Sequence, residues 1–139
     1  VLEASKTVRF TPLADWIAQG EGKRYVLKRL RDADQRLSPA AVRKLHAAAT
    51  LLIGKSYDLV FAWSDQQMYC SELVWKIYDR ALGIRVGTLQ KVRDFSLTSL
   101  EVQARMRERY GNAVPLDETV ISPVVMFDSP LLVNVYSSP

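Results

Sequence analysis

Short alternating runs of apolar and polar residues predict four strands. Residues 1–5 (VLEAS) and 7–10 (TVRF) have the short, β-rich character of strands. Residues 24–30 (RYVLKRL) alternate well enough to predict a strand with one buried face. Prolines interrupt the last part of the chain repeatedly, and residues 131–136 are the best strand candidate there.

Apolar residues spaced three and four apart predict four helices. Each helix ends at a glycine, and all but the third begin near a residue that favours a helix start; Met68 and Tyr69, before the third, are not good N-caps. The predicted helices span residues 12–19, 38–53, 70–82 and 97–110. We expect Ser38 to cap the second helix and Thr98 or Ser96 to cap the fourth. The pattern predicts one α+β domain over residues 1–139, with a small, mostly antiparallel sheet and helices packed on it.

The composition narrows the class of protein. A chain of 139 residues is long enough to bury a core, and its 48% hydrophobic and 24% charged residues are typical of a soluble globular domain. No apolar run approaches the roughly 20 residues that span a bilayer. A single cysteine cannot form an internal disulfide or a cysteine-rich zinc site. Neither a metal-ligand spacing nor a glycine-rich phosphate loop is present, so we expect no cofactor and no metal.

The charge of the chain argues against a nucleic-acid partner. The net charge is +4, and the basic residues concentrate at positions 23–31 and 105–109. These patches do not alternate with aromatic residues in the manner of a base-stacking surface. We therefore expect no nucleic acid, although weak attraction to anionic envelope polymers or lipid headgroups stays open. The sequence does not indicate an oligomeric state.

The cysteine at position 70 has two interpretations. On a helical wheel Cys70 shares a stripe with Leu73 and Ile77, so we expect it to point inward, as buried free cysteines do. Glu72, on another side of the helix, is expected to face solvent. The competing interpretation is that Cys70 is a nucleophile. Its first-turn position favours a thiolate, because unpaired N–H groups and the helix dipole stabilise an anion.

Four segments carry a resemblance to a known family. They are VLEASKTVRFTPLADWI at the start, GKSYD at 54–58, YCSELVWKIY at 69–78 and ETVISP at 118–123. Through these segments the chain resembles the YiiX/YebB-like permuted NlpC-type hydrolases, which are papain-like cysteine hydrolases with circularly rearranged elements. The resemblance covers essentially all 139 residues and implies a permuted papain-like fold.

The resemblance also implies roles for individual residues. Cys70 corresponds to the family's nucleophile, and Glu3 corresponds to the polar residue that orients the catalytic histidine. Tyr69 lies beside the site and helps to stabilise the oxyanion. Tyr57 and Asp58 form part of the wall of the substrate groove, although a packed tyrosine and a turn aspartate account for them equally well.

The family's histidine has no counterpart in these 139 residues. In the family it lies upstream of the glutamate strand, whereas the sole histidine of this chain, His46, lies in a predicted helix and does not match that position. The sequence begins inside a predicted strand and without Met, so we expect it to be N-terminally incomplete or processed. As it stands, we expect the chain to be inactive alone.

Two functions remain open at this level. The first is a cysteine hydrolase, amidase- or peptidase-like, that cleaves an amide or ester through a thioester on Cys70. Its substrate would be a small molecule, a peptide or an acyl compound, including cell-envelope peptides and lipid-linked amides. The alternative is a non-catalytic binding module that keeps a degenerate papain-like fold. The resemblance implies a periplasmic or cell-envelope location.

Overall fold

The computed structural model describes residues 1–97 and 99–139. The described strands are β1 (Leu2–Ala4), β2 (Val8–Phe10), β3 (Val26–Leu30), β4 (Ser56–Tyr57), β5 (Gln67–Met68), β6 (Gln90–Lys91), β7 (Thr119–Val120) and β8 (Leu132–Ser137). The described helices are α1 (Leu13–Gln19), α2 (Ala33–Arg36), α3 (Pro39–Thr50), α4 (Cys70–Leu82), α5 (Leu100–Tyr110) and α6 (Pro123–Phe127).

The strands form short pairs that confirm the α+β class. Three pairs are antiparallel (β1 with β2, β3 with β8, β6 with β7), and β4 runs parallel to β5. The β1–β2 hairpin joins β4 through a bridge between Thr7 and Ser56, and the Tyr57 N–H donates to the Lys6 carbonyl at 3.0 Å. Strand β5, which pairs with β4, ends two residues before Cys70. The paired strands therefore position the start of α4.

The main core lies where α3 and α4 pack together and β1 packs on α4. Alternation along β1 and β2 turns Ala4 and Val8 toward these helices, while Glu3 pairs across the hairpin with Arg9. The buried core residues are Ala4, Val8, Ala49, Leu52, Met68, Leu73 and Ile77.

Most predicted helix boundaries are close to the observed ones. α4 has the predicted bounds and ends at Gly83, whose φ of 65° is the left-handed conformation that suits glycine. Ser38 caps α3 as predicted, with its hydroxyl accepting from the Ala41 N–H. α5 starts later than predicted, because Ser99 rather than Ser96 accepts from the first turn. The other predicted cap, Thr98, lies outside the described residues.

Some elements were missed or misjudged. The helices α2 and α6 span only four and five residues, too few to show a helical period. In β3 the predicted buried face is reduced to Leu30, whereas Val26 and Leu27 are exposed. None of the helices in residues 1–97 and 99–139 is long and apolar enough to cross a membrane.

Candidate active site

Cys70 lies at the first position of α4 and is exposed. The inward orientation expected from the wheel is therefore wrong. The buried stripe of α4 runs through Leu73 and Ile77, one and two turns further on, where the helix packs on the core. Cys70, one turn before Leu73, is exposed although Ser71 and Glu72 in the same first turn are buried. An accessible thiol at a helix start is suited to react as a nucleophile.

Beside Cys70 lies a cavity of about 300 Å³ with a largely apolar wall. Tyr57 and Tyr69 line it together with Cys70, so the structure brings three of the predicted site residues to one place. Its other lining residues come from the loop after β4, from α4, α5 and α6, and from the segments around β6 and β7. They are Phe61, Ser71, Val92, Phe95, Met106, Tyr110, Val120, Ile121, Ser122 and Pro123.

The Tyr57 hydroxyl neighbours the Cys70 thiol. Burial is the main cause that raises the pKa of Tyr57, and the neighbouring Cys70 raises it further. The hydroxyl therefore stays protonated at neutral pH. A protonated phenol next to the sulfur can donate a hydrogen bond to it.

Tyr69 is buried between the loop after β4 and the start of α4. Its ring packs edge-on against Phe61 with 5.0 Å between centroids, and its Oη accepts from the Ile121 N–H at 3.1 Å. Burial raises the pKa of Tyr69. The hydroxyl keeps its own proton and can donate it, which an oxyanion in the adjoining cavity requires.

The main chain of Ile121 forms hydrogen bonds with the two residues that flank Cys70. Its N–H donates to Tyr69, and its carbonyl accepts from the Ser71 hydroxyl at 2.8 Å. The two residues that flank Cys70 are thus tied to the same residue of a distant segment. Sequence reasoning missed both Ser71 and Ile121, although ETVISP was already one of the segments that carried the resemblance.

Phe61 lines the cavity, and its backbone conformation is strained. Its φ is 52°, in the left-handed region that large side chains rarely adopt. Contacts on both sides hold it: the Tyr69 ring, and the Arg109 guanidinium at 4.4 Å from the ring centroid. Such strain persists only where the surroundings impose it, and it is common at ligand-binding sites.

Asp58 is fully buried but does not line the cavity. Its Oδ1 accepts from the Val60 N–H at 2.8 Å, and its own N–H donates to the Met68 carbonyl. Its Oδ2 has no hydrogen-bond partner among the described residues. These contacts describe a turn aspartate that shapes the loop behind Tyr57.

Glu3 lies on β1 within a hydrogen-bonded cluster rather than on the cavity wall. Its side chain is 11% exposed, and Oε1 accepts from the Thr11 hydroxyl at 2.6 Å and from Arg9 at 3.2 Å. The orienting role of Glu3 stays a prediction.

Glu72 is fully buried. The sequence had predicted that its side chain faces solvent, and that prediction is wrong. Its Oε2 accepts from the Tyr69 N–H at 3.3 Å, and its Oε1 forms an ion pair with Lys76 Nζ at 2.6 Å. Burial raises the pKa of Glu72, and the bond from Lys76 works in the opposite direction. The expectation was wrong because residues 63–65 cover this side of α4, through contacts of Lys76 with Trp63, Ser64 and Asp65 that no local pattern reveals.

His46 lies in α3, where its ring stacks on Phe10 with 5.8 Å between centroids. It does not line the cavity beside Cys70. Within residues 1–97 and 99–139, no group of three or more His, Cys, Asp or Glu side chains could hold a metal ion.

Comparisons with known proteins agree with this architecture. The family model for permuted papain-like amidase enzymes (YaeF/YiiX, C92 family) matches residues 1–136. The uncharacterized protein YiiX of Escherichia coli K12 is 49% identical over 135 residues, which are 97% of this chain and 65% of that protein. The crystal structure of metalloprotein YiiX from Escherichia coli O157:H7 superposes with a TM-score of 0.93 at 47% identity, covering 99% of this chain and 74% of that one.

Proposed function

The chain belongs to the C92 family of permuted papain-like amidases, and we propose from that premise that it carries the nucleophile of a cysteine hydrolase. The observation that carries the proposal is the exposed Cys70 at the start of α4, on the wall of an apolar cavity that Tyr57 and Tyr69 also line. The chain spans 65% of the length of its relative from E. coli K12, so the activity of the whole protein is part of the proposal.

The proposed reaction is acyl transfer through a thioester. The Cys70 thiolate attacks the carbonyl carbon of an amide or ester, and a C–S bond forms. The oxyanion is stabilised by N–H groups of the first turn of α4 and by the Tyr69 hydroxyl. The C–N or C–O bond then breaks, and the leaving amine or alcohol takes a proton from the general acid. Water attacks the thioester, releases the acid and restores the thiol.

The proton-transferring group is proposed to be a histidine outside these 139 residues. No histidine lines the cavity within the described part of the chain, and the ring of His46 stacks on Phe10. A strand added beside β1 would place such a histidine next to Glu3, whose carboxylate could then orient the imidazole. This is the family arrangement implied by the resemblance.

The cavity favours a substrate with an apolar group next to the scissile bond. Phe61, Val92, Phe95 and Met106 present rings and alkyl groups to its interior. Burying such surface yields roughly 25 cal/mol per Å². An acyl chain or a hydrophobic side chain fits this lining better than a charged one, which supports lipid-linked amides and esters over highly polar peptides.

Metal chemistry is not assigned to this chain. The related E. coli O157:H7 protein is described as a metalloprotein, but the donor groups here do not fit a metal site. The described residues bring together no three side chains of the required types, and Tyr57 rather than a carboxylate or an imidazole contacts Cys70.

A direct test of the nucleophile is alkylation of Cys70 by iodoacetamide at pH 7. Because this is the single cysteine of the chain, mass spectrometry of the intact protein follows one site. We expect the folded protein to react faster than the chain unfolded in urea, because Cys70 is exposed at a helix start, a position typical of reactive cysteines. An equal or slower rate in the folded state would contradict the proposal.

A binding module is the second candidate. It is favoured by one observation, that no base lies beside Cys70 in the described residues. In that case the apolar cavity binds acyl compounds without cleaving them, and the longer protein releases no product from any ester or amide that it binds. A periplasmic or envelope location is proposed from the resemblance, and cell fractionation would test it.

A further inference from the structure

The start of α4 is capped in an unusual way. Helix starts favour Ser, Thr, Asp or Asn at the N-cap, because their side chains accept a bond from the first turn. Here the N-cap residue is Tyr69, whose hydroxyl is instead bound to the Ile121 N–H at the cavity. Glu72, the third residue of the helix, makes a different contact: its carboxylate accepts from the N–H of Tyr69 itself at 3.3 Å.

A bare carboxylate at this position would oppose the chemistry of the site. Glu72 is two residues from Cys70, and its negative charge in a buried environment would disfavour a second negative charge on the sulfur. Lys76 lies one turn further along α4, with Nζ 2.6 Å from Glu72 Oε1 and a side chain that is 5% exposed. The cap is therefore paired with a cation inside the protein.

Lys76 is itself held by the loop that precedes the nucleophile. Its Nζ donates to the Ser64 carbonyl at 2.6 Å and to Asp65 Oδ1 at 2.9 Å, and it lies 4.7 Å from the centre of the Trp63 ring. Together with Glu72, these groups give the Lys76 ammonium group four partners. The contacts of Lys76 therefore fix the position of the Glu72 carboxylate. Buried ion pairs carry a large desolvation cost, and apolar pairs of equal volume are often as stable. Stability alone therefore does not account for the pair.

We propose that Glu72 and Lys76 are positioning residues that cap the helix start at Tyr69 and keep the cap electrically neutral beside Cys70. This role leaves the Tyr69 side chain available to the cavity. The inference rests on the proposed function, since it assigns the pair to the reactivity of Cys70.

The test compares alkylation rates of Cys70 by iodoacetamide at pH 7 in variants of the chain, each divided by its own rate in urea. Lys76→Met removes the cation that holds the Glu72 carboxylate at the Tyr69 N–H, and we expect the rate to fall about fivefold. Glu72→Gln with Lys76→Met keeps a neutral acceptor for the Tyr69 N–H, and we expect the rate to return to near that of the unchanged protein. Asp79→Asn, which breaks the pair between Asp79 of the same helix and Arg85 beyond its end, is the control and should have no effect.

A comparison of two double variants tests the inference even if the single variant Lys76→Met does not fold. Glu72→Met with Lys76→Met is neutral and similar in volume but removes the acceptor. We expect it to react more slowly than the Gln–Met variant and to show faster hydrogen exchange at the Tyr69 amide. Equal rates and equal exchange in these two double variants would overturn the inference. If the unchanged protein reacts no faster than the unfolded chain, the proposed function fails, and Tyr69 exchange still reports separately on the cap.

Discussion

Helix α4 has two neighbourhoods of opposite chemistry. On one side Leu73 and Ile77 pack with Ala4 and Met68 in the apolar core shared with α3. On the other side Glu72 and Lys76 form a buried ion pair, joined through Lys76 to Asp65. Both sides are shielded from water, yet one contains only hydrocarbon and the other contains charges that must be matched.

The two sides have different physical tasks. An apolar core tolerates exchanges that conserve volume, because its attraction has little direction. Hydrogen bonds and ion pairs require specific distances and angles, so they fix the position of the backbone that they join. We infer that the apolar side of α4 supplies stability and that the polar side sets the position of Tyr69 and Cys70.

The largest expected effect concerns turnover at the polar end of α4. In a longer protein that carries the upstream histidine, Cys70→Ala should reduce hydrolysis of a p-nitrophenyl ester by several orders of magnitude. The 139-residue chain alone should show no measurable hydrolysis, because no histidine lines the cavity beside Cys70 within the described residues. Release of nitrophenolate measures both.

His46→Ala is the matched control for that experiment, because it removes the one histidine of this chain. We expect turnover to be nearly unchanged, since the His46 ring stacks on Phe10 away from the cavity. Loss of activity with an unchanged circular dichroism spectrum would show that His46 is the base after all.

The apolar side should respond in stability instead of reactivity. Leu73 is 1% exposed, and we expect Leu73→Ala to lower the free energy of unfolding by about 3 kcal/mol. Val74, its neighbour on α4, is 36% exposed, and Val74→Ala should cost much less. Urea unfolding measures both variants. The comparison fails if the two lose the same stability, or if Leu73→Ala slows Cys70 alkylation in the folded protein as strongly as Lys76→Met.

Tyr69 lies at the boundary between the two sides. Tyr69→Phe keeps the ring against Phe61 but removes the hydroxyl proposed for the oxyanion. We expect kcat in the longer protein to fall about a hundredfold, as for loss of one oxyanion donor, with little change in KM. A variant that changes KM alone would assign the hydroxyl to substrate binding.

The smallest effect is the pH dependence of stability within the polar network. A hydrogen bond from Arg80, helped by Lys76, holds the pKa of Asp65 at about 2, below its ordinary value of 3.8. This stabilises the fold above that ordinary value and is lost as the pH falls toward 2. Asp65 is 55% exposed, so solvent screens the effect.

Glu72 should act with the opposite sign. Burial raises its pKa above the ordinary 4.5, so the folded state holds the proton longer than the unfolded state. Its contribution to stability therefore declines as the pH rises from 4.5 to the folded pKa. Urea midpoints from pH 2 to 7 should show that Asp65→Asn flattens the acid limb and that Glu72→Gln removes the decline above 4.5. Shifts of the same sign in both variants would refute the assignment.

The sequence predicts the bounds of α4 well because the signals that set them are local. A first-turn motif, an apolar stripe through Leu73 and Ile77, and Gly83 in a left-handed conformation define its span. Likewise, Ser38 and Pro39 mark the start of α3. The resemblance added the family and brought Cys70, Tyr57 and Tyr69 together, a grouping that no periodic pattern contains.

The errors arise where long-range contacts decide the environment of a residue. A wheel treats the whole helix as equally covered, but Cys70 is exposed whereas Ser71, the next residue, is buried. The same wheel places Glu72 in solvent, whereas the loop that carries Asp65 covers it. The Ile121 contacts bridge about fifty positions of sequence, and no local signal reports them.

The central claim is that Cys70 forms a thioester with an apolar acyl group, and trapping that intermediate tests it most directly. The longer protein is mixed briefly with p-nitrophenyl hexanoate and quenched in acid, and the peptide that contains residue 70 is analysed by mass spectrometry. We predict a hexanoyl adduct on Cys70 that disappears in Cys70→Ala together with turnover. Hydrolysis that continues in Cys70→Ala, or turnover with no adduct on Cys70 at any time, would contradict the account.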